Sequence, residues 1–294
     1  MHAQAIDGVA LTQRHVLVDG LRLHVAQAGP EDGPLVLLLH GFPESWLAWR
    51  RQLPALARAG YWTWAPVGRG YDTSDKPASL FAYSTDRLAG DVVGLLNTAG
   101  RATAHVVGHD WGGVVAWRLA ELHPERVERL VIINAPHPTV FRQTLLASPR
   151  QLVRSAYAAF FQLPLLPEAV LRARNFQALA RGLERSSRPG TFSEADFAAY
   201  RQAWARPGAL GGMLNWYRAA LRAPPRYVTA PRIRVPTSVL WGVHDLALGT
   251  EMARPSVDLC DHGALTLFAD ATHWLQHEEG AAVNRAIVSF IGAP

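Results

Sequence analysis

AHVVGHDWGGVVAWRLAEL, residues 104–122, passes from an apolar strand through a turn of small residues into an amphipathic helix. Gly108 and Gly112 stand two residues before and two after Asp110. Small residues at those places permit a sharp, strained turn that pushes the central side chain out at the end of a strand. A Ser there would attack acyl groups. A carboxylate attacks a saturated carbon instead and forms an alkyl ester. Taken alone, the turn reads equally well as a surface Asp capping the helix that follows. The rest of the chain has to decide.

Working outward, the flanking segments alternate between strand and helix patterns. RHVLVDGLRLHVAQA (14–28) reads as a β-hairpin turning at Asp19-Gly20. PLVLLLH (34–40) reads as a strand buried on both faces, and YWTWAP (61–66), AHVVG (104–108) and VERLVIIN (127–134) as further strands. Helical spacing occupies SWLAWRRQLPALARAG (45–60), roughly 84–99, and the stretch from Gly112. Strand-helix order stops after 137 and resumes with PTSVLWG (236–242), ALTLFAD (264–270) and a last helix near 279–291. Between these lies helical periodicity broken by Pro164, Pro167, Pro189, Pro207 and the Pro224-Pro225 pair. The expected fold is α/β: a mostly parallel eight-stranded sheet with helices on both faces. Residues 1–137 and 229–294 form the core, and 138–228 an inserted helical cap over the carboxyl ends of the strands, where ligands bind in such sheets.

Composition narrows the function. With 294 residues, 49% hydrophobic and 18% charged, the chain can bury a sizeable core. The net charge of +5 comes from scattered Arg without a basic block, so no nucleic-acid partner is expected. Cys260 is the only cysteine, which rules out an intrachain disulfide and suits a reducing compartment. MHAQAIDGVALTQRH lacks the pattern of a secretory signal, and LVLLL is the longest apolar run, so no membrane partner and a cytoplasmic location are expected. No HExxH or Cys-pair pattern suggests a metal, and no cofactor is expected.

A nucleophilic Asp needs a base to bring water to its ester and a carboxylate to orient that base. Chain order in such folds is nucleophile, acid, His. Asp245 follows the strand ending at Trp241-Gly242, and His273 follows the last strand. Both therefore fall at the sheet edge that carries Asp110. His109 and His244 each adjoin an Asp, but neighbours on an extended segment point apart. His123 and His277 fall near helix ends, where the dipole explains them. Asn134 ends a strand where an acid could stand but cannot ionise. In His40-Gly41-Phe42-Pro43, the backbone N–H of Phe42, with that of Trp111, would hold the oxyanion; a plain Gly-Pro turn is the other reading.

HGFPESW (40–46), RGYDTSDKP (69–77), GHDWGG (108–113) and WGVHD (241–245) together resemble the epoxide hydrolases of the α/β-hydrolase superfamily, over nearly the whole chain. The resemblance implies that Tyr157, in SAYAAFFQLPLLPE, and Tyr217, in LNWYRAA, are the paired lid tyrosines that bind the epoxide oxygen. Two phenols suit that task, because ring opening releases an alkoxide that must be hydrogen-bonded and protonated. Elsewhere, packing would explain either one. Against the family's Ala-Pro-Asp-x-Arg-Gly-Tyr-Gly, this chain has Val67 for the acid and Asp72 for the last glycine.

The expected reaction is epoxide hydrolysis to a vicinal diol through an ester on Asp110. Phe42, Trp111, Phe160, Phe161 and Trp274 are expected to line an apolar pocket for a small hydrophobic epoxide and water. A haloalkane or haloacid dehalogenase would use the same Asp, His and acid but has no need of two phenols. A non-catalytic binding protein on this fold is the alternative of another class. A homodimer is compatible with the sequence but not specified by it.

Overall fold

The computed structural model describes residues 2–223 and 232–292. Nine strands form one sheet among them: β1 (His2–Ile6), β2 (Val9–Val18), β3 (Leu21–Ala28), β4 (Leu35–Leu39), β5 (Trp62–Pro66), β6 (Ala104–His109), β7 (Val127–Ile133), β8 (Thr237–Gly242) and β9 (Gly263–Phe268). Their spatial order is β1-β2-β3-β5-β4-β6-β7-β8-β9. From β5 to β9 every pairing is parallel, while β1, β2 and β3 join as antiparallel neighbours. The sheet thus has one strand more than the eight expected. β1 pairs with β2 from His2↔Gln13 to Ile6↔Val9 through the turn at Asp7-Gly8, whose residues both take positive φ. HAQAI lacks the alternation of large apolar residues that marks a strand, and the pairing comes from the turn.

The central strands form because continuous apolar runs bury both faces of a parallel sheet. Every residue of β4, β5, β6 and β8 is buried. Helices α1 (Gln52–Arg58), α2 (Thr85–Thr98) and α3 (Trp111–Leu122) follow the early strands. Between β7 and β8 the described chain contains six helices and no strand: α4 (Pro138–Ala147), α5 (Pro149–Arg154), α6 (Ala156–Phe160), α7 (Leu166–Ser186), α8 (Glu194–Trp204) and α9 (Ala209–Arg222). α7 breaks at 173–176, where Arg174, Asn175 and Phe176 have positive φ. Residues 224–231, which include the expected end of the insert and the Pro224-Pro225 pair, lie outside the described residues. α10 (Ala253–Val257), α11 (Leu275–Glu278) and α12 (Gly280–Ile291) complete the chain. No described helix is long and apolar enough to cross a membrane.

β4 lies between β5 and β6, so the chain reverses its direction of growth across the sheet there. The segments leaving the carboxyl ends of β4, β6, β7, β8 and β9 gather beside that switch, the crevice where open α/β sheets bind ligands.

Candidate active site

Asp110 stands on the turn from β6 into α3 with φ 51° and ψ −121°, a conformation rare outside glycine. Its neighbours must be small for the turn to close. A Cβ on Gly112 would lie 2.0 Å from the Leu39 carbonyl oxygen, and one on Gly108 2.4 Å from that of Gly112. The same crowding fixes the oxyanion loop, where a Cβ on Gly41 would lie 2.4 Å from the Asp110 Cβ. That loop contains a cis Phe42-Pro43 peptide. The Phe42 N–H donates to Asp110 Oδ1 at 2.8 Å, and the Trp111 N–H also bonds the carboxylate. The two backbone donors expected from the sequence thus converge on one side chain.

His273 and Asp245 arrive from β9 and β8. His273 Nδ1 is 2.7 Å from Asp245 Oδ2, and its Nε2 is 3.6 Å from Asp110 Oδ2. Asp245 Oδ1 accepts from the Ala247 and Leu248 N–H groups, each at 2.8 Å. Burial penalises the charge of Asp245, but the His273 charge and these hydrogen bonds outweigh it and hold its pKa below the ordinary value. Burial likewise opposes protonation of His273, yet Asp245 first and Asp110 next lift its pKa to about 9. Asp110 itself is raised by burial, against the pull of His273 and the two backbone donors. Esterification would cancel the Asp110 charge and remove one of the influences that keep His273 protonated. Its pKa would fall, leaving the imidazole free of its proton and able to accept one.

Asn134, passed over because it cannot ionise, supports the acid. It donates to Asp245 Oδ2 at 2.9 Å, and its Oδ1 accepts from the Gly242 N–H at 2.9 Å, joining the ends of β7 and β8. Its φ of 43° at the end of β7 is tolerated by Asn. Glu44 was also unforeseen. It is fully buried, and Oε1 accepts from the Tyr200 hydroxyl at 2.6 Å and pairs with His277 Nε2 at 2.7 Å. Gln276 Nε2 bridges Glu44 Oε2 and His109 Nδ1, while His109 Nε2 meets the backbone oxygen of His273 at 2.9 Å. Burial disfavours the Glu44 charge, but His277 and His109 outweigh it and bring the pKa to about 2. His277 is therefore held by Glu44 and by Arg50, whose Nη1 is 2.8 Å away, rather than by a helix dipole. His109 turns away from the Asp110 carboxylate, as adjacency on a strand requires, and its ring ties the backbone at His273 to Gln276.

Over Asp110 lies an aromatic group. The Tyr217 ring is 5.0 Å from those of Trp111 and Phe161, 5.2 Å from Phe42 and 5.9 Å from Tyr157. Although part of the Tyr157 residue is exposed, both hydroxyls are withdrawn from solvent, and this with the nearby Asp110 carboxylate raises the pKa of both phenols and keeps them protonated. Phe160 packs behind Phe161 at 6.1 Å. Trp274 meets the His273 ring edge-on at 4.9 Å, and its indole N–H donates to Ser186 Oγ at 2.8 Å. It faces Phe192 and the back of the base, apart from the group around Tyr217. No described set of His, Cys, Asp and Glu could hold a metal ion.

Residues 34–280 match the family model described as the alpha/beta hydrolase fold. The chain is 43% identical over 290 residues to "AB hydrolase superfamily protein YfhM" of Bacillus subtilis (strain 168), covering 97% of this chain and 99% of the relative. It is 38% identical over 280 residues to "Epoxide hydrolase 4" of Mus musculus, covering 92% of this chain and 77% of the relative. Among solved structures, a Bacillus megaterium epoxide hydrolase in complex with an inhibitor superposes with a TM-score of 0.85 at 28% identity, covering 95% of this chain and 99% of that one.

Proposed function

The chain belongs to the α/β-hydrolase fold family, and we infer that within it the protein is an epoxide hydrolase, converting an epoxide and water to a vicinal diol with Asp110 as nucleophile. The observation that carries this reading is the meeting of two different kinds of group on one carboxylate. Asp110 faces a His-Asp pair, with His273 Nε2 at 3.6 Å, while the Tyr217 ring, 5.9 Å from that of Tyr157, packs against Trp111 and Phe42, the two residues whose N–H groups bond the Asp110 carboxylate. The base serves ester hydrolysis. The phenols serve a leaving oxygen.

In the first step an Asp110 oxygen attacks one epoxide carbon, the opposite C–O bond breaks, and the freed alkoxide takes a proton from the Tyr157–Tyr217 pair. In the second, His273 removes a proton from water as the hydroxide adds to the Asp110 carbonyl carbon. The resulting oxyanion lies against the Phe42 and Trp111 N–H groups. Collapse breaks the ester and frees the diol. His273, a cation at rest, hands its proton to the phenolate once the ester has cancelled the Asp110 charge and regains one from water in the second step, while the added hydroxyl's proton passes to the leaving oxygen, so every group returns to its starting state. The helices from α4 to α9 act as a cap over this chemistry, and the aromatic lining suits a small hydrophobic epoxide. A halide leaving group would gain little from two weakly acidic phenols, which sets the dehalogenase reading behind this one.

The test is turnover of styrene oxide by the purified protein, with Asp110→Ala beside it. Diol from the first and none from the second is expected. Halide release from a haloalkane without any diol would move the assignment to the dehalogenases.

A further inference from the structure

Tyr157 and Tyr217 are held in very different ways. Tyr157 sits on the five-residue α6 with 39% of its surface exposed, whereas Tyr217 is buried in the middle of α9. Below α9 lies a buried ion pair that the proposed mechanism leaves unused. Arg69 Nε donates to Asp91 Oδ2 at 2.6 Å, and its Nη2 bonds Asp91 Oδ1, a two-pronged contact between the 68–76 loop and α2. Arg69 Nη1 donates to the Ala82 carbonyl at 2.7 Å. The Arg69 carbonyl in turn accepts from the Trp216 indole N–H at 3.0 Å, one residue before Tyr217.

Backbone shape reinforces the contact. A Cβ on Gly212 would lie 2.5 Å from the Gly70 Cα, and one on Gly68 would lie 2.7 Å from the Trp216 ring. The loop and α9 therefore touch through glycines, and Trp216 is seated between Gly68 and Tyr71, whose ring is 5.4 Å away. A buried Arg–Asp pair is a weak source of stability, since desolvation cancels much of its attraction, but it fixes geometry well. The path runs from α2 through Asp91, Arg69 and Trp216 to the helix that bears Tyr217.

We propose that Asp91, Arg69 and Trp216 are positioning residues for the ring-opening step, a pillar that holds Tyr217 over Asp110. Tyr217 is then the fixed oxygen donor, and Tyr157, on its exposed short helix, is the adjustable one. This proposal rests on the epoxide hydrolase reading for its chemistry, though the pillar itself is read from the fold.

The experiment separates the two chemical steps. Single-turnover reactions with styrene oxide, quenched and followed by mass, give the rates at which the Asp110 ester forms and decays. Trp216→Phe keeps an aromatic ring, smaller than the indole, and loses the N–H; Arg69→Met with Asp91→Leu replaces the ion pair by apolar groups of similar size, a change that buried pairs often tolerate. In both, ester formation is expected to slow about 10- to 100-fold, as for a donor misplaced by about an ångström. Ester decay should stay within about twofold in both, with the unfolding midpoint near wild type in the apolar pair. Equal slowing of both steps, or wild-type ester formation in the apolar pair, overturns the proposal. Phenylacetamide, whose carbonyl accepts from the phenols and forms no ester, provides a measure independent of turnover. Its affinity should fall in the same variants but not when they are made in a Tyr217→Phe background. A wild type that forms no ester would count against the reaction assignment, while an unchanged amide affinity would count against the pillar.

Discussion

In the proposed reaction the Asp110 side chain serves in turn as nucleophile and as electrophile, and the groups around it divide between those two tasks. His273 belongs to the second. His273→Gln should therefore leave ester formation largely intact while decay falls by about three orders of magnitude or more. Intact-protein mass should then rise by the mass of one epoxide, and a peptide map should place the adduct at Asp110. Asn134→Ala probes the support of the acid. It removes the 2.9 Å donor to Asp245 and leaves the buried Gly242 N–H without its acceptor. A loss of about 1–3 kcal/mol in unfolding free energy is expected, together with slower ester decay and unchanged ester formation. The two side chains were not equally visible beforehand. His273 could be found because chain order and the strand ends converge on it. Asn134 and Glu44 could not, because their roles depend on partners 111 and more than 150 residues away. The one local signal at Asn134 was an amide at a strand end, where positive φ is tolerated.

At the scale of elements, the chemistry depends on how closely two turns approach. The elbow between β6 and α3 and the loop after β4 touch through Gly112 and Gly41, but with different consequences. A methyl group on Gly112 meets the Leu39 backbone oxygen, which cannot move without disturbing β4. Gly112→Ala should cost more than about 3 kcal/mol or prevent folding, as judged by a denaturant melt. A methyl group on Gly41 instead meets the Asp110 side chain, with the carboxylate Oδ1 2.5 Å away. Gly41→Ala should keep most of the fold and lower turnover by at least tenfold, because it displaces the nucleophile. Equal thermal loss in both variants would contradict this division. These elements were legible in the sequence because apolar runs, glycines and turn pairs act locally. The ninth strand was not, since HAQAI becomes a strand only by pairing with β2. Asp72, which departs from the family pattern, was legible as an oddity and not as a contact. It adopts φ 38°, and its carboxylate lies 3.4 Å from Arg206 on the turn between α8 and α9.

For the molecule as a whole, the buried ionisable groups impose a pH dependence with two arms. Burial lowers the pKa of His109 to about 3 and that of His24 to about 4, and the buried network lowers Glu44 to about 2. Between those values and the ordinary pKa of each group, the unfolded chain binds more protons than the folded one. Stability therefore rises with pH across that range and is lost on acidification. Asp110 and Asp91, both raised by burial, offset part of this acid arm. His273 has the opposite sign. With a folded pKa of about 9 against 6.5 when exposed, it contributes fully below pH 6.5, and that contribution is lost as pH rises to 9. Its size is at most about 3–4 kcal/mol, at about 1.4 kcal/mol for each tenfold gain in proton affinity. Urea unfolding from pH 4 to 9.5 should thus give greatest stability near pH 6.5 and a decline on either side. In His273→Gln the alkaline decline should flatten while the acid arm persists, because His24, His109 and Glu44 remain. An alkaline arm unchanged in that variant would mean that His273 is not held as a cation between Asp245 and Asp110 in the resting protein. Ester formation would then have no part in lowering its pKa.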